Sequence, residues 1–407
     1  MNSLYIHRSL ESVLIKATSE FPAVILTGPR QSGKTTLLKY LFQKRFSYIS
    51  LELPDVRAAA AEDPRGFLKH YPPPAIFDEV QYAPELLPYI KEIIDQDRGR
   101  SGQYLLTGSQ NLLLAEKVTE SLAGRAAILR LLPLSKREAE GRPSIDLAWE
   151  GNFRASSPTS FSFDKLWRNF LRGGYPELAT QPNRNISLWH ASYIQTYLER
   201  DVRTLRQVGD LTQYQNFLRL LAARSSQLFN LTEVARTLGV AVNTVKAWLS
   251  VLEATYQVIV LRPYFANVGK RLVKTPKVYF TDTGTLCYLA GLKDPEHAAS
   301  GPMGGAIMET AVLSEILRTL THRGMDPQIY FWRTTAGTEV DFVVETSGGL
   351  VPIEVKLSAT PRPAMAAAIK TFQGDMGSKA MAGYVVHPGD IGLPLGPSVT
   401  ALPFANL

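Results

Sequence analysis

At 407 residues the chain exceeds what one hydrophobic core usually serves, so two or three domains are expected, and 45% hydrophobic with 20% charged residues excludes general disorder. A net charge of +7 suits a polyanionic partner, although 37 acidic residues are mixed among the 44 basic ones. Cys287 is the sole cysteine, which excludes an intrachain disulfide and a cysteine-clustered zinc site.

Met1 to Arg8 lack the pattern of an export signal, and no run approaches the roughly 20 apolar residues of a membrane helix, so a cytoplasmic protein without a membrane partner is expected. Ala23-Val24-Ile25-Leu26-Thr27 reads as a buried parallel strand. It runs into Gly28-Pro29-Arg30-Gln31-Ser32-Gly33-Lys34-Thr35-Thr36 and then into a helical pattern. A nucleotide triphosphate requires that order. Glycines let backbone N–H groups turn inward around the phosphates, and the helix aims its N-terminal dipole at the same anion. Residues Gly28 to Thr36 are therefore the expected ATP cradle, with Lys34 on the β- and γ-phosphates and the Thr35 hydroxyl on Mg²⁺.

Ser47 to Glu52 form the next expected strand, and Ala75-Ile76-Phe77-Asp78-Glu79 is a short apolar run ending in two carboxylates. Asp78 is expected to support Mg²⁺ through its water shell, and Glu79 to polarise the water that attacks the γ-phosphate. Gln103 to Gln110 make a further strand with a small polar end. Ser109 is the first candidate there for sensing the γ-phosphate and Gln110 the second, although Ser109 equally suits the N-cap of the helix that follows. Lys117 to Gly124 read as a helix, and Arg125 stands between it and the strand Ala126 to Leu132. By charge alone, Arg125 suits a helix C-terminus.

This order of phosphate loop, Asp-Glu strand, polar-ended strand and arginine resembles the AAA+ ATPases. More narrowly, Gly28 to Thr35, Asp78-Glu79-Val80-Gln81, Leu106-Thr107-Gly108-Ser109 and Ser121-Leu122-Ala123-Gly124-Arg125 resemble the prokaryotic AAA family usually followed by a domain of unknown function, DUF4143. The resemblance implies that Arg125 is an arginine finger presented to the nucleotide of a neighbouring subunit. It implies a homo-oligomer, such as a hexameric ring.

Glu138 to Ser144 and Arg154 to Ser160 are rich in Pro, Gly and Ser, so a linker or flexible insertion is expected there, ahead of the helical stretch from Phe163. Arg172-Gly173-Gly174-Tyr175-Pro176-Glu177 and Tyr193 to Val202 also resemble the same family; Arg172 and Arg200 are candidates for sensing nucleotide in cis, although a salt-bridged surface helix explains Arg200 and Asp201 equally well. Leu231 to Leu249 form two short amphipathic segments around Gly239, which reads as a helix-turn-helix with Asn243, Thr244 and Lys246 on the exposed start of its second helix. Tyr256 to Arg262 can supply a wing. Such an element serves DNA or protein docking equally well.

In the last third, Gly305 to Leu317 read as a helix carrying Glu309, and strands carry Asp341 and the pair Glu354 and Lys356, whose side chains share one face. Glu309, Asp341, Glu354 and Lys356 resemble the restriction-endonuclease-like fold, which implies a metal held by the acids and a water polarised by the lysine. The expected architecture is α/β: a P-loop parallel-sheet ATPase domain over 1–143, a linker and helical region over 144–226, a winged-helix-like element over 227–264, and a DUF4143-type α/β domain over 265–407. ATP and Mg²⁺ are the expected ligands and DNA the expected partner. The expected function is ATP hydrolysis coupled to DNA remodelling; an ATP-regulated nuclease or defence effector, and a nucleotide-dependent assembly switch acting on proteins, are the alternatives.

Overall fold

The computed structural model of the chain describes residues 5–108, 121–143, 146–150, 162–198, 211–265 and 275–407. Ser109, Gln110, Arg200 and the stretch 154–160 lie outside them. The fold is α/β, with a P-loop-type parallel sheet, a helical middle and a C-terminal mixed sheet.

The first sheet has five strands, β1 (Ala23–Thr27), β2 (Ser47–Ser50), β3 (Ala75–Asp78), β4 (Tyr104–Gly108) and β5 (Ala126–Arg130). They run parallel in the order β2-β3-β4-β1-β5. Side chains alternate across each strand. Val24 and Leu26 pack with Leu10, Leu14, Leu37 and Leu38 on one face, while Ile25 joins Phe77, Leu87 and Ile90 on the other. Both faces are thus covered by helices, which is why the central strands are apolar throughout. Because the strands are parallel, their carboxyl ends share one edge. The register sets Thr27 opposite Gly108 and Phe77 opposite Leu106, bringing Asp78 beside Thr107.

The helices Phe163–Arg172, Ile186–Tyr193 and Leu211–Ala223 precede the helix pair Leu231–Leu238 and Val242–Ala254. Asn230 caps the first of that pair through bonds from the Thr232 and Glu233 N–H groups, and Gly239 ends it with φ 68°. Val234, Val245 and Trp248 are buried, whereas Asn243 and Lys246 are exposed. Strand β6 (Val258–Leu261) then pairs antiparallel with β7 (Lys277–Phe280) to make the hairpin.

In the C-terminal part the helix Gly304–His322 packs on a sheet of β8 (Gln328–Arg333), β9 (Glu339–Thr346), β10 (Gly349–Val355), β11 (Gly383–His387), β12 (Leu393–Gly396) and β13 (Val399–Pro403), ordered β12-β13-β11-β10-β9-β8. Among the described residues, no helix is long and apolar enough to cross a membrane.

Two expectations are corrected. The boundary expected between 264 and 265 falls inside the β6–β7 hairpin, and one hydrophobic cluster runs from Trp167, Phe217 and Trp248 through Leu286 and Ile307 to Phe342 and Phe404. Short amphipathic helices cannot bury their apolar faces alone, so the middle and C-terminal regions share a core. Secondly, the stretch from Glu138 expected as a flexible linker begins inside the one-turn helix Lys136–Ala139, which buries Arg137 and Glu138 and carries a capping box between Ser135 and Glu138. Glu138 is 0% exposed.

Candidate functional site

The phosphate loop leaves β1 through Gly28, whose φ is 146°. A Cβ there would stand 2.1 Å from the Leu131 carbonyl oxygen, so only glycine fits. Gln31 and Gly33 also adopt positive φ, 61° and 96°, before the helix Lys34–Phe42 begins. Its N-terminus therefore opens onto the loop. Lys34 is 4% exposed, and its Nζ donates to the carbonyls of Gly28 (3.0 Å) and Pro29 (2.9 Å).

Asp78 closes β3 at the same sheet edge and is 4% exposed. Three hydroxyls converge on it: Thr35 Oγ1 at 3.0 Å from each carboxylate oxygen, Tyr48 at 2.7 Å, and Thr107. Burial, and then the hydrogen bond to Asp78, push the Tyr48 phenol up, so it stays a donor. Thr35 and Asp78 together present hard oxygens, the donor chemistry that Mg²⁺ takes. Glu79 follows at φ 59° and ψ 52°, a strained conformation for a residue with a side chain. Its N–H donates to Thr107 Oγ1 (2.9 Å), and its carboxylate accepts from Gln81 Nε2. Thr107 therefore positions both acids at once, a role the sequence reading missed. The signal was its place at the end of the strand next to β3.

A cleft of about 450 Å³ lies over these groups, large enough for a nucleotide. Lys34, Thr35 and Glu79 form its floor, and Tyr5, Pro176 and Glu177 form part of its rim. The middle region thus contributes to the cleft wall. Arg172 is not on that wall; its guanidinium donates to the Leu178 (2.8 Å) and Gln181 (2.7 Å) carbonyls and braces the segment that is.

Arg125 lies at the amino end of β5, the opposite sheet edge from the phosphate loop of its own chain. It makes a bidentate pair with Asp95 (2.8 and 2.9 Å), and together with Arg98 it holds the Asp95 carboxyl down at about 2. The guanidinium is thus engaged by Asp95 and stands away from the phosphate loop of its own chain.

The second expected constellation is also assembled. Phe342 pairs with Ile353, placing Asp341 beside Glu354, and Asp341 Oδ2 accepts the Val355 N–H (2.8 Å). Lys356 Nζ stands 2.5 Å from Glu354 Oε1, and Glu309 Oε2 accepts the Tyr279 hydroxyl (2.9 Å). Burial, then the charge of Asp341, push Glu309 up to about 8 and Glu354 up to about 7. Lys277, absent from the expected set, is buried here and paired with Glu339. Burial disfavours its charge, but Glu309 and Glu339 outweigh that and raise it. A metal does not fit these residues well: among the described residues no three acidic, histidine or cysteine side chains are grouped to hold one.

Family models place an AAA domain over residues 20–140 and DUF4143 over residues 304–407, with a further domain of unknown function, DUF8612, over residues 163–296. Uncharacterised proteins of Mycobacterium bovis and Mycobacterium tuberculosis are each 32% identical over 398 residues, 97% of this chain and 83% of theirs. One of Haemophilus influenzae is 22% identical over 357 residues, 81% of each chain. A Walker-type ATPase of Pyrococcus abyssi is similar in structure over 70% of this chain and 96% of its own, at 16% identity and a TM-score of 0.47.

Proposed function

The chain belongs to the family that joins an AAA domain to a C-terminal DUF4143 domain, and on that premise we propose that it is a Mg²⁺-dependent ATP hydrolase whose turnover acts on DNA. The convergence of Lys34, Thr35, Asp78, Glu79 and Thr107 on one sheet edge carries the hydrolase reading. Lys34 exchanges its loop carbonyls for phosphate oxygens. Thr35 and Asp78 would hold Mg²⁺, which when bound supplies positive charge to the phosphates. Glu79 accepts a proton from the attacking water, and Thr107 fixes the Glu79 backbone so that the carboxylate stays at the cleft floor. Arg125 completes the cleft of a neighbouring copy.

Glu79→Gln is expected to keep ATP binding and to lose at least about a hundredfold in turnover, because a positioned base contributes about that much. A filter-binding assay beside a phosphate-release assay checks this. Normal turnover in the variant would remove Glu79 from the role of base.

Coupling to DNA is supported by the helix pair with its hairpin, and by one contact. Tyr256, between that helix pair and β6, stands 2.9 Å from the Thr27 hydroxyl, the last residue before the phosphate loop. A load on the hairpin is therefore one hydrogen bond from the strand that leads into the phosphate loop. Duplex, single-stranded or branched DNA is expected to raise the steady-state ATPase rate at low salt, with the stimulation falling as salt rises. Lys246→Ala is expected to weaken that stimulation about two- to fivefold and leave the DNA-free rate unchanged. A rate indifferent to every DNA form would move the reading to a nucleotide switch acting on a protein. The donor set of the C-terminal cluster gives the metal-dependent nuclease reading no comparable support.

A further inference from the structure

The buried cluster where β7, β9, β10 and the helix Gly304–His322 meet contains a cation of its own. We propose that the Lys277 ammonium is the resident cation of this cluster, standing where a restriction-endonuclease-like fold would carry a divalent metal, so that the cluster ties the winged-helix hairpin to the C-terminal sheet.

Lys277 opens β7 opposite Leu261 and is 4% exposed. Its Nζ is paired with Glu339 and lies 5.5 Å from the centre of the Phe331 ring, a low-dielectric setting in which an ammonium persists only beside carboxylates. Two residues along the same face of the strand, Tyr279 donates its hydroxyl to Glu309. One edge of the hairpin therefore serves two of the acids. The C-terminal part serves Asp341 through the Val355 N–H and Glu354 through Lys356, and adds Arg333 at 3.1 Å from Glu339.

Each carboxylate already has an internal donor, and a dication brought among them would meet a fixed ammonium in low dielectric. One feature points the other way. Glu354, 6% exposed, keeps its Oε2 buried without a partner. A single carboxylate oxygen is far short of the oxygen shell that Mg²⁺ or Mn²⁺ demands. Removing the ammonium would free Glu339 Oε1, the other oxygen staying with Arg333, and with Asp341 and Glu354 it would offer a set of hard oxygen donors.

The test is calorimetric titration of Mn²⁺ into the nucleotide-free full chain. The wild type is expected to show no saturable binding that depends on Glu354. Lys277→Met is expected to gain a saturable Mn²⁺ site that the wild type lacks, and to lose it when Glu354→Gln is added. Saturable Mn²⁺ binding by the wild type that Glu354→Gln or Asp341→Asn abolishes would overturn the proposal. So would a folded Lys277→Met that binds no better than wild type. If circular dichroism shows that Lys277→Met does not fold, the wild type against Glu354→Gln still decides, because binding that needs Glu354 refutes an occupied cluster and its absence supports one.

Discussion

Replacing Lys34 by alanine is expected to lower ATP affinity by about a hundredfold or more and to take turnover to background. Its ammonium is buried at the head of a helix, where two carbonyls of the loop hold it within 3.0 Å. Charge-assisted hydrogen bonds contribute about 1.5–3 kcal/mol each, and two of them to phosphate account for the expected loss. Because Lys34 also braces Gly28 and Pro29, the substitution could instead collapse the loop. Lys34→Met keeps the packed stem but loses the ammonium together with its bonds to Gly28 and Pro29, so it separates the ammonium from the packing of the stem. Equal losses of affinity in both variants, measured with a fluorescent ATP analogue and with unfolding midpoints near wild type, assign the effect to the ammonium. Unchanged affinity in Lys34→Met would remove Lys34 from phosphate binding.

The second large effect is expected from Glu138→Gln, a loss of about 3–5 kcal/mol of stability, which is a sizeable share of what holds a domain folded. Glu138 lies where three parts of the chain meet. Arg8 Nε stands 3.2 Å and His322 Nδ1 3.1 Å from its Oε1, while the Ser9 and Ser135 N–H groups donate to its two oxygens. Arg8 goes on to the Ser32 carbonyl of the phosphate loop and the Leu132 carbonyl, and His322 Nε2 accepts the Leu132 N–H (3.0 Å). That last bond requires a neutral imidazole with its proton on Nδ1, facing Glu138. An amide at 138 would present N–H groups to donors and leave the Arg8 charge buried without its counter-ion.

Acid weakens this cluster. Burial alone would raise the Glu138 carboxyl, but His322 and Arg8 beside it hold it well below the usual range, so its contribution is present above the unfolded value near pH ~4.3 and is lost as pH falls. Burial depresses His322, so its contribution is present above about pH 6.5 and is lost as pH falls through the lower folded value. Both act in one direction. The wild type is expected to lose stability steadily below about pH 6.5, and His322→Gln, which takes no proton, to flatten the upper part of that loss. Denaturant unfolding from pH 4 to 8 measures it, and an unchanged slope in His322→Gln would assign the acid sensitivity to other groups.

The nucleotide cradle could be read in the chain because its parts are contiguous: Gly28, Gly33, Lys34 and Thr35 act through local backbone geometry and the helix that begins among them. Asp78 and Glu79 could be read because an apolar run that stops in acids marks a strand end. Thr107 could not be preferred over Ser109, since the choice depends on which residue of β4 lies beside Asp78, a matter of strand order and register. Arg8 is a similar case, because one arginine near the N-terminus carries no pattern until Ser32, Leu132 and Glu138 surround it.

In the C-terminal part, Glu354 and Lys356 were legible through the period of two along a strand, and Glu309 and Asp341 through likeness to a known fold. Lys277 was not, because it comes from the hairpin of the preceding element and joins the acids only when β7 docks against β9 and the long helix. The same holds for Glu138, whose Pro- and Gly-rich neighbourhood has the composition of a linker while its carboxylate is fully buried. By itself, then, the sequence determined the local devices: the phosphate loop, the acid-ended strand, the capped helix pair and the alternating strands. Their signals lie within a few bonds or one helical turn. Which distant charges would be buried together, and which hydroxyl would hold the acids, only the tertiary structure decided, because buried ions are tolerated solely where packing supplies their partners.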